Sequence, residues 1–250
     1  MRKVVVVILF FVSSFVFAQS AEELFDKANG LYKSEQYDEA VKVYKSIEEL
    51  DVHSDDLYFN LANCYYKLNK IAPSIYYYEK ALKLNPAHED AKSNLVFANK
   101  MTIDAIEVLP KTVFQNFSDQ VIYKLTYETW AKLSVSLSFI GALLFLLYHF
   151  SYTPRKKLIY FNGSILAAFL LVVSIAFSYK AYDKEVNTKS AIIFKQTTDI
   201  KNAPTFNSET VFKLHEGTKV VVLDQIDDWK KIKLADGKIG WIIADNIKEI

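Results

Sequence analysis

Residues able to do covalent or metal chemistry are few and scattered in this chain. Four histidines, His53, His88, His149 and His215, stand far apart, and none has Cys, Asp or Glu beside it at metal-ligand spacing. The single cysteine, Cys64, falls at an inward-looking position of a helical pattern, where a small core residue is expected. A redox role for it would need access that burial denies. There is no glycine-rich phosphate loop, Walker motif or G-x-S-x-G elbow. The expectation is a protein that is not an enzyme and carries no cofactor and no metal. What remains is binding, and the elements that would present binding surfaces.

The dominant elements are two apolar stretches, 131–149 and 158–179, separated by a loop, 150–157, containing Arg155, Lys156 and Lys157. Each is about 20 residues, the length that crosses a hydrocarbon core of about 30 Å. Only Lys132, at the first edge, places an ionised group in either stretch, and Trp130, Tyr148, Tyr160 and Tyr179 stand near the ends. Aromatic rings favour that headgroup level. A transmembrane helical hairpin is predicted. Ser134, Ser136, Ser138, Asn162, Ser164 and Ser174 are its polar groups, and it has no central charge of the kind that marks a transport path. Gly163 and Ala167 form a small-xxx-small pair suited to close helix packing.

Residues 1–18 read as a signal peptide, with Arg2 and Lys3 before an apolar run and Val16-Phe17-Ala18 at the cleavage site; an uncleaved anchor is the alternative. Export followed by a hairpin puts 19–130 and 180–250 outside and the basic loop in the cytoplasm, in keeping with the positive-inside rule. A net charge of +1 over 250 residues argues against nucleic acid as the main partner.

Between the leader and the hairpin the sequence repeats itself. Ala28 and Ala62, Ala40 and Ser74, Tyr44 and Tyr78, and Leu50 and Leu84 each lie 34 residues apart. Breaks at Ser34-Glu35-Gln36 and Asn69-Lys70 make each unit a helix–turn–helix, 21–54 and 55–88, and Pro86 ends the second. Two units leave an apolar face uncovered, so 89–100 is expected to be a capping helix, completing a domain over 19–100. The stretch DLYFNLANCYYKLNKIAPSIYYYEKALKLNP resembles the tetratricopeptide repeat, and the first unit is similar but more divergent. That resemblance implies an α-superhelix with a concave groove for peptides or partner proteins. Its groove positions map onto Phe25, Asn29, Tyr32 and Lys33, then Phe59, Asn60, Asn63, Tyr66 and Lys67. Packing of the aromatics against neighbouring helices, with solvated asparagines, is the alternative. Phe25 and Phe59 stand where some members carry a carboxylate-clamping lysine.

Residues 101–130 are broken by Pro110; Val113, Phe117, Val121 and Leu125 then share one helical face, which predicts an amphipathic helix at the membrane interface. Packing of that face under the repeats is the alternative. After a linker, 180–189, the pattern in 190–250 changes to short strands: Ala191–Gln196, Val211–Leu214, Lys219–Gln225, Trp229–Leu234 and Gly240–Ile243. Turns fall at His215-Glu216-Gly217 and Asp236-Gly237. A small all-β barrel with Trp229 and Trp241 in its core is predicted. SETVFKLHEGTKVVVL and DDWKKIKLADGKIGWI resemble the bacterial SH3-like domain, some members of which bind cell-wall peptides. Lys230, Lys231 and Lys233 read as a solvated face, with a basic patch on one sheet face as the alternative.

The whole order, signal peptide, paired repeats, basic-looped hairpin and SH3-like domain, resembles the BatE family of the Bacteroides aerotolerance group. That resemblance implies a multi-pass protein of the bacterial inner membrane with both soluble parts in the periplasm. It further implies work beside von Willebrand factor A domain membrane proteins and a MoxR-type ATPase, in an envelope complex linked to oxygen or stress tolerance. A membrane-bound scaffold is the expected function, with a peptidoglycan receptor acting through the SH3-like domain as the alternative.

Overall fold

The 34-residue echo in the sequence becomes an echo in backbone geometry. In the computed structural model, which describes residues 21–107 and 109–250, residues 21–33 form helix α1. Tyr37–Glu49, Asp55–Lys67, Ile71–Leu84 and Glu89–Asn99 form α2 to α5. The signal peptide expected at 1–18 lies outside the described residues. After α1 the chain turns through Glu35 and after α3 through Asn69, both in the left-handed region (φ 60° and 56°). In each turn two amides reach back to helical carbonyls, Glu35 to Tyr32 and Gln36 to Leu31, then Asn69 to Tyr66 and Lys70 to Tyr65. Carbonyls that a helix end would leave bare are thereby satisfied. At the start of α3 the Ser54 hydroxyl accepts from the Leu57 amide, and Asp55 and Asp56 stand against the positive end of the helix dipole. Ala28, Ala40, Ala62, Ala72 and Ala81 are almost completely buried, which lets helices approach closely, and Tyr44, Tyr78, Leu61 and Ile75 fill the space between them.

The strands gather into one seven-stranded sheet of order β3-β2-β6-β5-β4-β1-β7. They are β1 Lys189–Ile193, β2 Thr197–Lys201, β3 Thr210–His215, β4 Lys219–Ile226, β5 Trp229–Lys233, β6 Ile239–Ile243 and β7 Ile247–Glu249. Five correspond to expected strands; β2 and β7 are additional. Thr197–Lys201 (TTDIK) is polar at every second position but buries only Thr198 and Ile200, and β7 is three residues long, so neither shows a strong apolar alternation. Register shifts between Ile200 and Lys201 and between Val222 and Asp224 bend the sheet. All seven strands send a side chain into one core, Ala191, Ile193, Ile200, Leu214, Val220, Ile232, Ile242 and Ile247 among them. Gly240 is required here, since a Cβ on it would collide with the Ile200 side chain and come within 3.1 Å of the Lys201 carbonyl oxygen.

The repeat helices and the strand domain form one compact unit; the other is chiefly Leu109–Lys189. In the first, strand alternation serves two cores at once. Ile193 points into the sheet's own core, whereas its neighbour Ile192, with Phe194 and Ile250, packs into that of the repeats. Phe194 meets Tyr76 edge-on at 5.6 Å. The left-handed Gly217 (φ 86°) lies so close to Ile71, Ile75 and Thr102 that a Cβ there would fall 2.9–3.1 Å from their side chains. Around this apolar contact Lys219 pairs with Glu79 at 2.6 Å and Lys83 donates to the Ile250 carbonyl oxygen at 2.7 Å.

A dense polar tie is made by Asp104, only 12% exposed, on the irregular segment that follows α5. Its carboxylate accepts from the His215 amide (2.7 Å), His215 Nδ1 (2.7 Å) and Thr218 Oγ1 (2.6 Å). Burial pushes the Asp104 carboxyl up, but these donors outweigh it and hold it below the usual aspartate value.

In the second unit, Val113–Phe117 form α6, Ser118–Ile122 a π-helical turn, Tyr127–Phe150 α7 and Pro154–Asn187 α8. The long amphipathic helix expected within 101–130 is therefore replaced by one short helix and a wide turn. Thr126 ends it by capping α7, its hydroxyl accepting from the Thr129 amide. Likewise the expected linker 180–189 is mostly helix, because Lys180–Asn187 contains no Gly or Pro and simply continues α8. At 34 residues α8 is about 51 Å long, well beyond the hydrocarbon thickness. Both α7 and α8 are long and apolar enough to cross a membrane, and their most apolar windows are only 6% and 11% buried in protein. They pack through small residues: a Cβ on Gly141 would lie 3.5 Å from that of Ala167, and one on Gly163 would lie 3.2 Å from Leu144 Cδ1. Ser134 and Ser174 hydroxyls bond each other at 2.5 Å, and Ser174 also donates to the Trp130 carbonyl oxygen.

Candidate peptide-binding groove

Helices α1, α3 and α5 bring together a polar ladder with the same period as the sequence. Tyr44 donates its hydroxyl to Asn29 Oδ1 at 2.6 Å, and Asn60 Nδ2 donates to the same oxygen at 3.2 Å. One repeat later, Tyr78 donates to Asn63 Oδ1 at 2.5 Å and Asn94 Nδ2 donates to it at 2.9 Å. Burial pushes the Tyr44 and Tyr78 hydroxyls far up, so both remain protonated donors. With the Asn63 carbonyl occupied twice, the orientation of its amide is fixed. Asn63 lines a cleft of about 210 Å³ together with Tyr32, Tyr66, Lys67, Tyr78, Asn94 and Phe97. An oriented side-chain amide beside aromatic rings and a lysine suits the backbone of an extended chain.

Of the nine predicted groove residues, Tyr32, Asn63, Tyr66 and Lys67 line this cleft. Phe25 instead meets Tyr44 edge-on at 5.7 Å, and Phe59 lies 6.1 Å from Tyr78 and 4.8 Å from His88, so both pack against the core. Asn29 and Asn60 bond each other, and Lys33 is exposed. Asn94 and Phe97 were not singled out from sequence. The signal for Asn94 was present, since Asn60 and Asn94 are 34 residues apart and α5 occupies the place of a third first-helix.

Cys64 is buried and burial pushes its thiol up to about 12, which leaves it an unreactive core residue. His88 lies with Asp55 and Asp56, their ligand atoms within 4.8 Å of one another, a grouping that sequence spacing concealed because it joins the two ends of one repeat. The site does not fit a metal. His88 Nδ1 accepts from the Ala91 amide to cap α5, which places the imidazole proton on Nε2, the nitrogen that would have to ligate. In the strand domain Trp229 and Trp241 are both buried. Trp241 lies on the opposite face from the core residue Ile242, beneath Lys231, and Trp229 meets the exposed Phe206 edge-on at 5.2 Å.

Comparison with known families agrees with this geometry. Residues 56–88 match the tetratricopeptide repeat. Residues 197–248 match the bacterial SH3 domain. No curated protein matches the chain. The tetratricopeptide match covers α3 and α4, the pair that supplies Asn63, Tyr66, Lys67 and Tyr78. Both matched families are interaction modules, which supports a protein-interaction role for this chain.

Proposed function

We propose that this protein is a membrane-anchored adaptor that captures protein partners in the tetratricopeptide groove, with the SH3-like domain fixed to the back of the repeats. The observation that carries the reading is the oriented Asn63 amide at the cleft. The joining of the repeats and the strand domain in one unit supports an even number of membrane crossings between them. Arg155, Lys156 and Lys157 in the α7–α8 turn favour a cytoplasmic turn, hence periplasmic modules on a multi-pass inner-membrane protein. The order of modules is similar to that of the BatE family, so von Willebrand factor A domain membrane proteins and a MoxR-type ATPase are the proposed partners, in an envelope complex for oxygen or stress tolerance. The test is affinity purification of the full-length chain from crosslinked native membranes, beside the Asn63→Leu/Tyr66→Ala variant. Enrichment of those partners by the parent and its loss in the variant is expected; equal recovery by both overturns the groove assignment.

A second reading, a peptidoglycan receptor, is favoured by the exposed ring of Phe206, which rests on the buried Trp229 and is itself open to a ligand. Co-sedimentation of the full chain with purified cell wall, abolished by Phe206→Ala, is the outcome expected of it.

A further inference from the structure

We propose that the end of the helix pair where α7 begins and α8 ends binds the phosphate of an anionic phospholipid headgroup. The proposal rests on the reading of α7 and α8 as membrane spans. Lys111, Lys180 and Lys184 line one open cavity of about 440 Å³ together with Phe114, Asp119 and Tyr123. Asp119 faces two of these ammonium groups, Lys111 at 2.6 Å and Lys184 at 3.7 Å, so one carboxylate stands against three cations. Among the described residues, Lys180 donates to Ser118 Oγ at 3.1 Å and lies 4.3 Å from the centre of the Phe114 ring, both neutral groups. The nearby carboxylates of Glu128, Asp183 and Glu185 act on Tyr123 and Tyr127 and line no part of the cavity.

The segment that closes the cavity is fastened to the helix pair. Trp130 Nε1 donates to the Ile122 carbonyl oxygen at 2.9 Å, and Phe177 meets Trp130 at 5.1 Å and Phe117 at 6.4 Å. The same segment leaves Val113, Phe114 and Phe117 exposed by 88%, 69% and 46%. Excess positive charge beside an uncovered apolar stripe, at the end of two spans, matches a headgroup phosphate with its acyl chains adjacent. It also accounts for lysines at the end opposite the basic turn, where they oppose the orientation that turn sets.

The test uses the purified full-length protein. It is floated with phosphatidylcholine vesicles containing or lacking phosphatidylglycerol, and retained lipid is counted by native mass spectrometry. Preferential retention of phosphatidylglycerol is expected. The preference should fall by about fivefold for each lysine removed in K111Q, K180Q and K184Q, and persist in the matching Lys→Arg variants. An unchanged preference in the triple Gln variant overturns the site. Displacement of the lipid by millimolar inorganic phosphate also overturns it, since the site would then take a free anion. Failure to float with any vesicle overturns the membrane reading itself, and the proposal with it.

Discussion

The two units solve the problem of holding helices together with different polar chemistry. In the repeat and SH3-like unit, ties are charged or shared among several donors: three donors on Asp104, and two on each of Asn29 and Asn63. Glu48 belongs here too. Burial pushes its carboxyl up, but Lys80 at 2.6 Å and Tyr77 at 3.0 Å more than reverse that. Between α7 and α8 the ties are serine hydroxyls on each other or on backbone carbonyls, and closeness comes from glycine and alanine. Water tolerates an ion pair and lets a charged acceptor gather donors. With α7 and α8 read as the proposed membrane spans, hydrocarbon would penalise every unneutralised charge, so neutral hydroxyls and van der Waals contact remain.

That contrast is broken most severely where shape, not charge, is at stake. Gly240→Ala should lower stability of the SH3-like domain by about 3 kcal/mol, because the collision is with the fully buried Ile200 and a backbone carbonyl. The midpoint of urea unfolding followed by tryptophan fluorescence measures it. Asp104→Ala is expected to cost about 2 kcal/mol, leaving three inward donors without an acceptor. Faster amide exchange at His215 and Thr218 would be its local signature. Because the folded Asp104 carboxyl titrates below its unfolded value, its stabilisation is complete above about pH 4 and disappears as pH falls through the lower folded value. The stability difference between the parent and Asp104→Asn should accordingly shrink in that acid window; a constant difference would show that the carboxylate charge contributes nothing.

Tyr78→Phe, which removes one of two donors from Asn63, should cost about 1 kcal/mol and loosen the cleft. Thermal unfolding of the helical signal reads the first effect. The smallest change is expected for Ser134→Ala with Ser174→Ala, about 0.6 kcal/mol in a bilayer, measured by unfolding in mixed micelles. A cost above that of Asp104→Ala would reverse the contrast between the units.

Much of this was legible in the amino-acid order because the signals are periodic. The 34-residue spacing of Ala28 with Ala62 and Tyr44 with Tyr78 announces helix pairs, and Asp236-Gly237 announces a tight turn whose glycine adopts φ 91°. Strands β2 and β7 escaped notice because short, half-polar segments owe their state to their neighbours in the sheet. In the groove, the residue types at Asn63 and Tyr66 were readable. How the Asn63 amide is held was not, since that depends on Tyr78 and Asn94 reaching one oxygen from two other helices. The clamp on Asp104 left no mark at all: its partners lie 111 and 114 residues away, beyond any local pattern.

The strand-borne Ile192, with Phe194 and Gly217, covers Ile71, Ile75 and Tyr76 of α4. During synthesis that helix emerges more than a hundred residues before its cover does. Until residues 192–217 arrive, the repeats expose an apolar face that the strand domain later hides. Synthesis that halts before the strand domain would therefore leave that face open to association and proteolysis, so the strand domain acts as the cover on which the repeats depend.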